Sequence, residues 1–129
     1  MIGTCVVDAS AAAAVAFREP AASIVAPVLF RARALRVPHI FHVELASVGR
    51  TKVLRGELDW PQARACLAAA ATWPLTVVPI SWRLAWETAL RSGLTVYDAC
   101  YLCLARKRRL RLLTLDAILH AAAGERALP

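Results

Sequence analysis

No apolar run in this sequence is long enough to cross a bilayer. The longest stretches lie near 9–17, 65–71 and 99–105, short of the roughly 18–20 residues that a spanning helix needs. No basic segment opens the chain, and Asp8 interrupts the first apolar run, so no secretory leader is expected and the protein is read as cytoplasmic, without a membrane partner. Acid is scarce: nine Asp and Glu stand against 16 Lys and Arg, a formal net charge of +7 with a pI near 10.1. That balance favours polyanions. No long helix sets a basic face against a broad aromatic one, so nucleic acid is favoured over acidic lipid. Cysteine is sparse and scattered. Cys5, Cys66, Cys100 and Cys103 sit in apolar segments and read as small core residues of a reduced protein. Cys100 and Cys103 have C-x-x-C spacing but no second ligand pair, which argues against zinc.

Linkers, internal repeats and low-complexity tails are absent too, so residues 1–129 read as a single domain. What remains is hydrophobic, 59% of residues with mean hydropathy +0.52, much of it helix-favouring alanine. Strand and helix alternate. GTCVVD (3–8) reads as a strand and 9–17 as a helix. A second helix runs from Pro20 to about Leu35, bent at Pro27, and Arg36–Val37 is at most a very short strand. Pro38 opens a helix to about Arg55, and Asp59 caps another reaching Trp73. LTVVPI (75–80) is a strand, and Ser81 starts a helix stopped by Gly93. Thr95 begins a helix that runs into Arg106, Lys107, Arg108 and Arg109. LRLLT (110–114) is the last strand, before a short helix from Asp116. Short apolar strands separated by helices predict an α/β fold, a three-layer α/β/α sandwich on a central parallel sheet. Its strand carboxyl ends share one edge, where open sheets build their sites.

Four acids fall where chemistry is expected. Asp8 follows the first strand and Asp116 the last; each alone could simply cap the next helix. Glu44 falls between Phe41 and Val48 on a helical wheel, in an apolar stripe where a carboxylate is costly unless a positive group meets it. A buried arginine partner is the plain alternative. His39 and His42 fall on the other side of that helix and read as solvent-facing. Asp98 lies in the first turn of a helix apolar nearly all round, where a capping role is the plain alternative. Two carboxylates 4 Å apart repel by about 4 kcal/mol at an effective dielectric near 20, so gathering four calls for a cation. Oxygen ligands without an obvious imidazole select Mg²⁺ or Mn²⁺. Such an ion polarises phosphoryl oxygens and activates water. With these four set aside, five acidic residues of the nine remain against 16 basic ones, leaving an acidic pocket in a basic surface.

The residues VVDAS (6–10), HVELAS (42–47), LTVYDACYLCLA (94–105) and LLTLD (112–116) together resemble the PIN-domain family, and within it the VapC-like toxins of VapBC toxin–antitoxin systems. The last two motifs are the specific ones, and the likeness spans essentially the whole chain. It implies an endoribonuclease in which Asp8, Glu44, Asp98 and Asp116 bind Mg²⁺ or Mn²⁺ and activate water. Ser10 and Thr114 match auxiliary polar positions. It also implies an RNA substrate, a homodimer, and a cognate antitoxin that covers the groove. Glu44 is followed by Leu-Ala where many members carry Asn-Ala, and Cys100 and Cys103 fall at variable positions.

Arg106 to Arg109 are candidate RNA-backbone contacts or a solvated helix end. Trp82 and Trp86, one helical turn apart, are expected to form a core or dimer patch; Trp60 and Trp73 are expected to pack. His120 is expected at the surface. Three other readings compete. A catalytically inactive RNA-binding module of the same fold needs no four-acid cluster. A signalling receiver domain wants paired acids after its first strand, where Asp8 stands alone. A metal-dependent phosphatase shares the framework and is separated by its substrate.

Overall fold

The structure, a computed structural model, describes residues 2–128. Four short parallel strands form the centre: β1 (Cys5–Val7), β2 (Leu35–Pro38), β3 (Leu75–Val78) and β4 (Arg111–Leu113), in the order β3-β2-β1-β4. Around them lie α1 (Ala9–Ala16), α2 (Ala22–Arg31), α3 (Phe41–Leu54), α4 (Trp60–Ala70), α5 (Trp82–Ser92), α6 (Val96–Arg108) and α7 (Ala117–Ala123), and a 3₁₀ turn covers Gly124–Arg126. The α/β fold with its parallel sheet is as the sequence predicts.

The chain winds outward from β1 through β2 to β3, then crosses back to lay β4 on the other side of β1. The strand order therefore reverses between β1 and β4, and the crevice beyond their carboxyl ends is the place where such sheets take ligands. Asp8 leaves β1 there, its N–H donating to the Leu113 carbonyl at 3.1 Å.

Two elements depart from expectation. α2 ends at Arg31 instead of reaching Leu35, because Leu35–Pro38 is taken into the sheet as a full strand between β1 and β3. Leu35 and Val37 are buried there, and two ladders outweigh the helical pattern of the segment. α4 likewise stops at Ala70, before Trp73, while its start is a capping box between Asp59 and Gln62. The helix expected from Pro38 begins at Phe41, Pro38 itself belonging to β2.

Alanine explains the layering. Ala9, Ala11, Ala12, Ala13 and Ala14 of α1 are all buried, and α1 packs against α2, α3 and α4. Methyl side chains let one helix sit close beneath three others. On the other face α6 is the buried helix, with Ala99 through Ala105 enclosed against β1, β2 and α5.

Candidate active site

All four expected acids come together. Asp8, Glu44, Asp98 and Asp116 line one cavity of about 530 Å³, with Ser10, Val43, Ser47, Thr51, Tyr97 and Tyr101 also on its wall. Each arrives by a different route. Asp8 and Asp116 follow β1 and β4 and cap α1 and α7, so the capping role and the cavity position coexist. Glu44 comes from α3 and Asp98 from the first turn of α6, behind the Thr95 cap.

Asp8 is 3% exposed and tightly held. Its Oδ1 accepts from Ser10 Oγ at 2.7 Å and from Ala11 N–H at 2.9 Å, and its Oδ2 accepts from Thr114 Oγ1 at 2.6 Å. The same hydroxyls accept backbone donors from the loop after β4: Leu115 N–H donates to Ser10 Oγ and Asp116 N–H to Thr114 Oγ1, both at 3.0 Å. Ser10 and Thr114 thereby tie the ends of β1 and β4 together and lock Asp8 to Asp116. With Oδ1 twice occupied, Asp8 keeps lone-pair capacity mainly on Oδ2.

Glu44 is half-buried, and its partner is not an arginine. Tyr101, 1% exposed, donates its hydroxyl to Glu44 Oε1 at 2.6 Å. Tyr101 was not singled out from the sequence, yet a signal exists: it is three residues beyond Asp98 on a buried helix, where a phenol needs a partner.

The electrostatics of the cavity are one-sided. Burial pushes the Asp8 carboxyl above its ordinary range despite hydrogen bonds that lower it, and the Asp98 charge adds to the rise. Glu44 is raised by burial, then by Asp98 and Asp8, against the Tyr101 hydrogen bond. Asp98 is raised by burial and by Asp116. Among the described residues no Lys, Arg or His lines the cavity. Even so, among the described residues no three His, Cys, Asp or Glu side chains are grouped closely enough to hold an ion; the acids share a cavity without forming a closed cage. Mg²⁺ commonly binds through one or two carboxylates while keeping several waters, so this donor set suits a hydrated hard ion.

The other candidates fall elsewhere. Arg106 to Arg109 are exposed at the far end of α6, about 12 Å or more of helix rise from Asp98, and do not line the cavity. His39 is exposed but employed: its Nδ1 accepts from Ile80 N–H at 3.1 Å, so it tethers the β3–α5 loop. His42 and His120 are exposed. Trp82 and Trp86 are 71% and 52% exposed, which removes the core reading, and Trp60 at 81% does not pack as expected. Cys100 and Cys103 are free and buried, with the Cys100 thiol pushed up to about 11 by burial.

The fold and the site define an α/β protein with a carboxylate-lined crevice at a strand reversal, and comparison with known proteins names the family. The PIN domain profile matches residues 5–125. Ribonuclease VapC1 of Mycobacterium tuberculosis (strain H37Rv) is 37% identical over 123 residues, covering 93% of this chain and 91% of that protein; the strain CDC 1551 sequence gives the same figures. The crystal structure of PAE2754 from Pyrobaculum aerophilum superimposes with a TM-score of 0.77 at 25% identity, over 98% of this chain and 83% of that one. Mycobacterium tuberculosis VapC20, a sarcin–ricin loop cleaving toxin, shares the fold with a TM-score of 0.73 at 18% identity, over 97% and 99%. The chain belongs to the PIN-domain family.

Proposed function

We propose that this protein is a VapC-type toxin: an endoribonuclease that hydrolyses RNA phosphodiester bonds with Mg²⁺ or Mn²⁺ held by Asp8, Glu44, Asp98 and Asp116. The observation that carries the reading is the shared cavity of four carboxylates without a cation, in a chain 37% identical to a ribonuclease. A divalent ion there would polarise the phosphoryl group and make water a better nucleophile. The chain's own residues prepare the place for it. Ser10 and Thr114 fix Asp8, Tyr101 fixes Glu44, and the backbone of Leu119 fixes Asp116 through its Oδ1 at 2.9 Å. An inactive RNA-binding module would have no use for this arrangement. The decisive experiment incubates the purified protein with RNA in Mn²⁺ and in EDTA. Cleavage confined to Mn²⁺ is expected; cleavage undiminished in EDTA would remove the metal from the reading.

The partners belong to the same proposal: an RNA substrate, an antitoxin protein over the cavity, and a cytoplasmic setting. No helix among the described residues is long and apolar enough to cross a membrane. Trp82, Trp86 and Leu90 lie four residues apart along α5 and are 71%, 52% and 67% exposed, an apolar stripe suited to a second copy of the chain. Light scattering should give the mass of a dimer. Trp86→Glu should give that of a monomer, and an unchanged dimer would move the interface off α5.

A further inference from the structure

The chain has two tyrosines, and both line the acidic cavity. Tyr101 is enclosed and its hydroxyl is committed to Glu44. Tyr97 differs in both respects. It sits in the first turn of α6, beside Asp98, and remains 61% exposed. On the same wall α3 contributes Val43, 74% exposed. The cavity therefore has an uncharged rim above a floor of carboxylates.

That distribution poses a problem for a polyanion. A strand entering here brings phosphates toward like charge, and the wall offers no Lys, Arg or His to offset it. The Arg106–Arg109 cluster lies at the other end of α6. A bound divalent ion would offset the carboxylates at the floor, and at the uncharged rim the contact left for a nucleotide is one independent of charge, such as stacking on an aromatic ring. A tyrosine carried by a helix is ordered before binding and loses little freedom when it is covered.

We propose that Tyr97 is a stacking shelf for one unpaired nucleobase, which seats the neighbouring phosphate over the acidic floor. The identity of the polyanion as RNA rests on the nuclease reading above. Bases within an A-form duplex are stacked on one another and show the protein only their edges. The shelf therefore selects single-stranded or looped nucleotides, and it tolerates any base because every base has a π-face.

The test uses the whole protein in three forms: wild type, Tyr97→Ala and Tyr97→Phe. With Mn²⁺ and a single-stranded oligoribonucleotide, Tyr97→Ala should raise KM by about 5- to 150-fold, the range for one stacked base, with little change in kcat. Tyr97→Phe keeps the ring and should keep the wild-type KM. A second readout needs no cleavage: an oligoribonucleotide carrying 2-aminopurine at successive positions is saturated with protein in EDTA. Quenching at one position, present with Tyr or Phe at residue 97 and lost with Ala, supports the shelf even if the protein cuts nothing in Mn²⁺, an outcome that would refute the nuclease reading alone. Equal quenching in all three forms, or an unchanged KM in Tyr97→Ala, overturns the shelf while leaving the nuclease standing.

Discussion

The two ends of α6 carry opposite charge and opposite environments. Its first turn holds Asp98, half-buried beside Asp116 at the cavity. Its last turn holds Arg106, Lys107 and Arg108, followed by Arg109 in a left-handed conformation, all open to solvent. Each end suits the helix dipole, which favours anions at the amino terminus and cations at the carboxyl terminus. The dipole alone, however, would be served equally well by a fully solvated acid. Asp98 instead sits where burial and a neighbouring carboxylate raise its proton affinity, a position that opposes stability. Net charge of +7 thus conceals a division between a small acidic cavity and a basic exterior. Among the described residues Lys52 is the only Lys or Arg in an ion pair, with Glu19 and Glu57, so most of the positive charge is available to a polyanion.

If the ends of α6 divide the work in this way, the largest effect belongs to Asp98. Asp98→Asn keeps volume and removes a charge from the cavity, and RNA cleavage in Mn²⁺ should fall by about 1000-fold or more, the worth of several kcal/mol of transition-state stabilisation. Far-UV circular dichroism should be unchanged. A variant that cuts at more than a tenth of the wild-type rate would remove Asp98 from the reacting centre.

The next effect is one turn further along α6. Tyr101→Phe deletes the hydroxyl that holds Glu44 Oε1 and leaves the ring packed. Mn²⁺ affinity should drop by about 10- to 100-fold, the usual cost of losing the group that orients a ligand, and cleavage should return at high Mn²⁺. Calorimetric titration of Mn²⁺ into both proteins measures it. Equal affinities would show that Glu44 needs no help from Tyr101.

How far these roles could be read in advance depends on what kind of contact creates them. Asp8, Asp98 and Asp116 were legible because each adjoins a local signal: a strand end or a helix start. Glu44 was legible as an oddity on an apolar face, but its partner was not, since Tyr101 is far away in sequence and nothing in the α3 pattern names it. β2 was understated for a similar reason. Leu-Arg-Val-Pro is only four residues long and is interrupted by Arg36, and its strand character comes from pairing on both sides. The tryptophans of α5 were legible as one shared face, but spacing does not reveal whether this chain covers it, and their exposure removes the core alternative.

A smaller and physically sharper effect concerns pH. Asp8, Glu44 and Asp98 all have folded-state proton affinities above the ordinary carboxylate range, burial being the first cause in each. Between the unfolded and folded values the native state binds more protons, so stability falls as pH rises through that window and the full penalty remains above it. Metal-free protein should therefore gain more melting temperature from Mn²⁺ at pH 8 than at pH 5, where protonated acids repel less and ligate less. Asp98→Asn should melt higher than wild type in EDTA at pH 8. Equal gains at both pH values would mean that the carboxylates are already compensated within the chain.

The smallest effect belongs to the basic end, and it separates attraction from reaction most cleanly. If Arg106, Lys107, Arg108 and Arg109 hold RNA phosphates outside the cavity, replacing any two with Gln leaves the acids, Tyr101 and the α6 packing untouched. Each phosphate contact releases condensed counterions on binding, and for single strands the slope of log affinity against log salt changes by about 0.7 per contact. Loss of two contacts should therefore make that slope shallower by about 1.4, while kcat at saturating RNA stays the same. Affinity should fall most at low salt and converge with wild type as salt rises, since screening removes the same interaction from both proteins. A double variant whose slope matches wild type would assign the cluster to helix capping and solubility. One that loses kcat with an unchanged slope would mean that this end of α6 communicates with the acidic cavity, and the division drawn between the two ends would have to be abandoned.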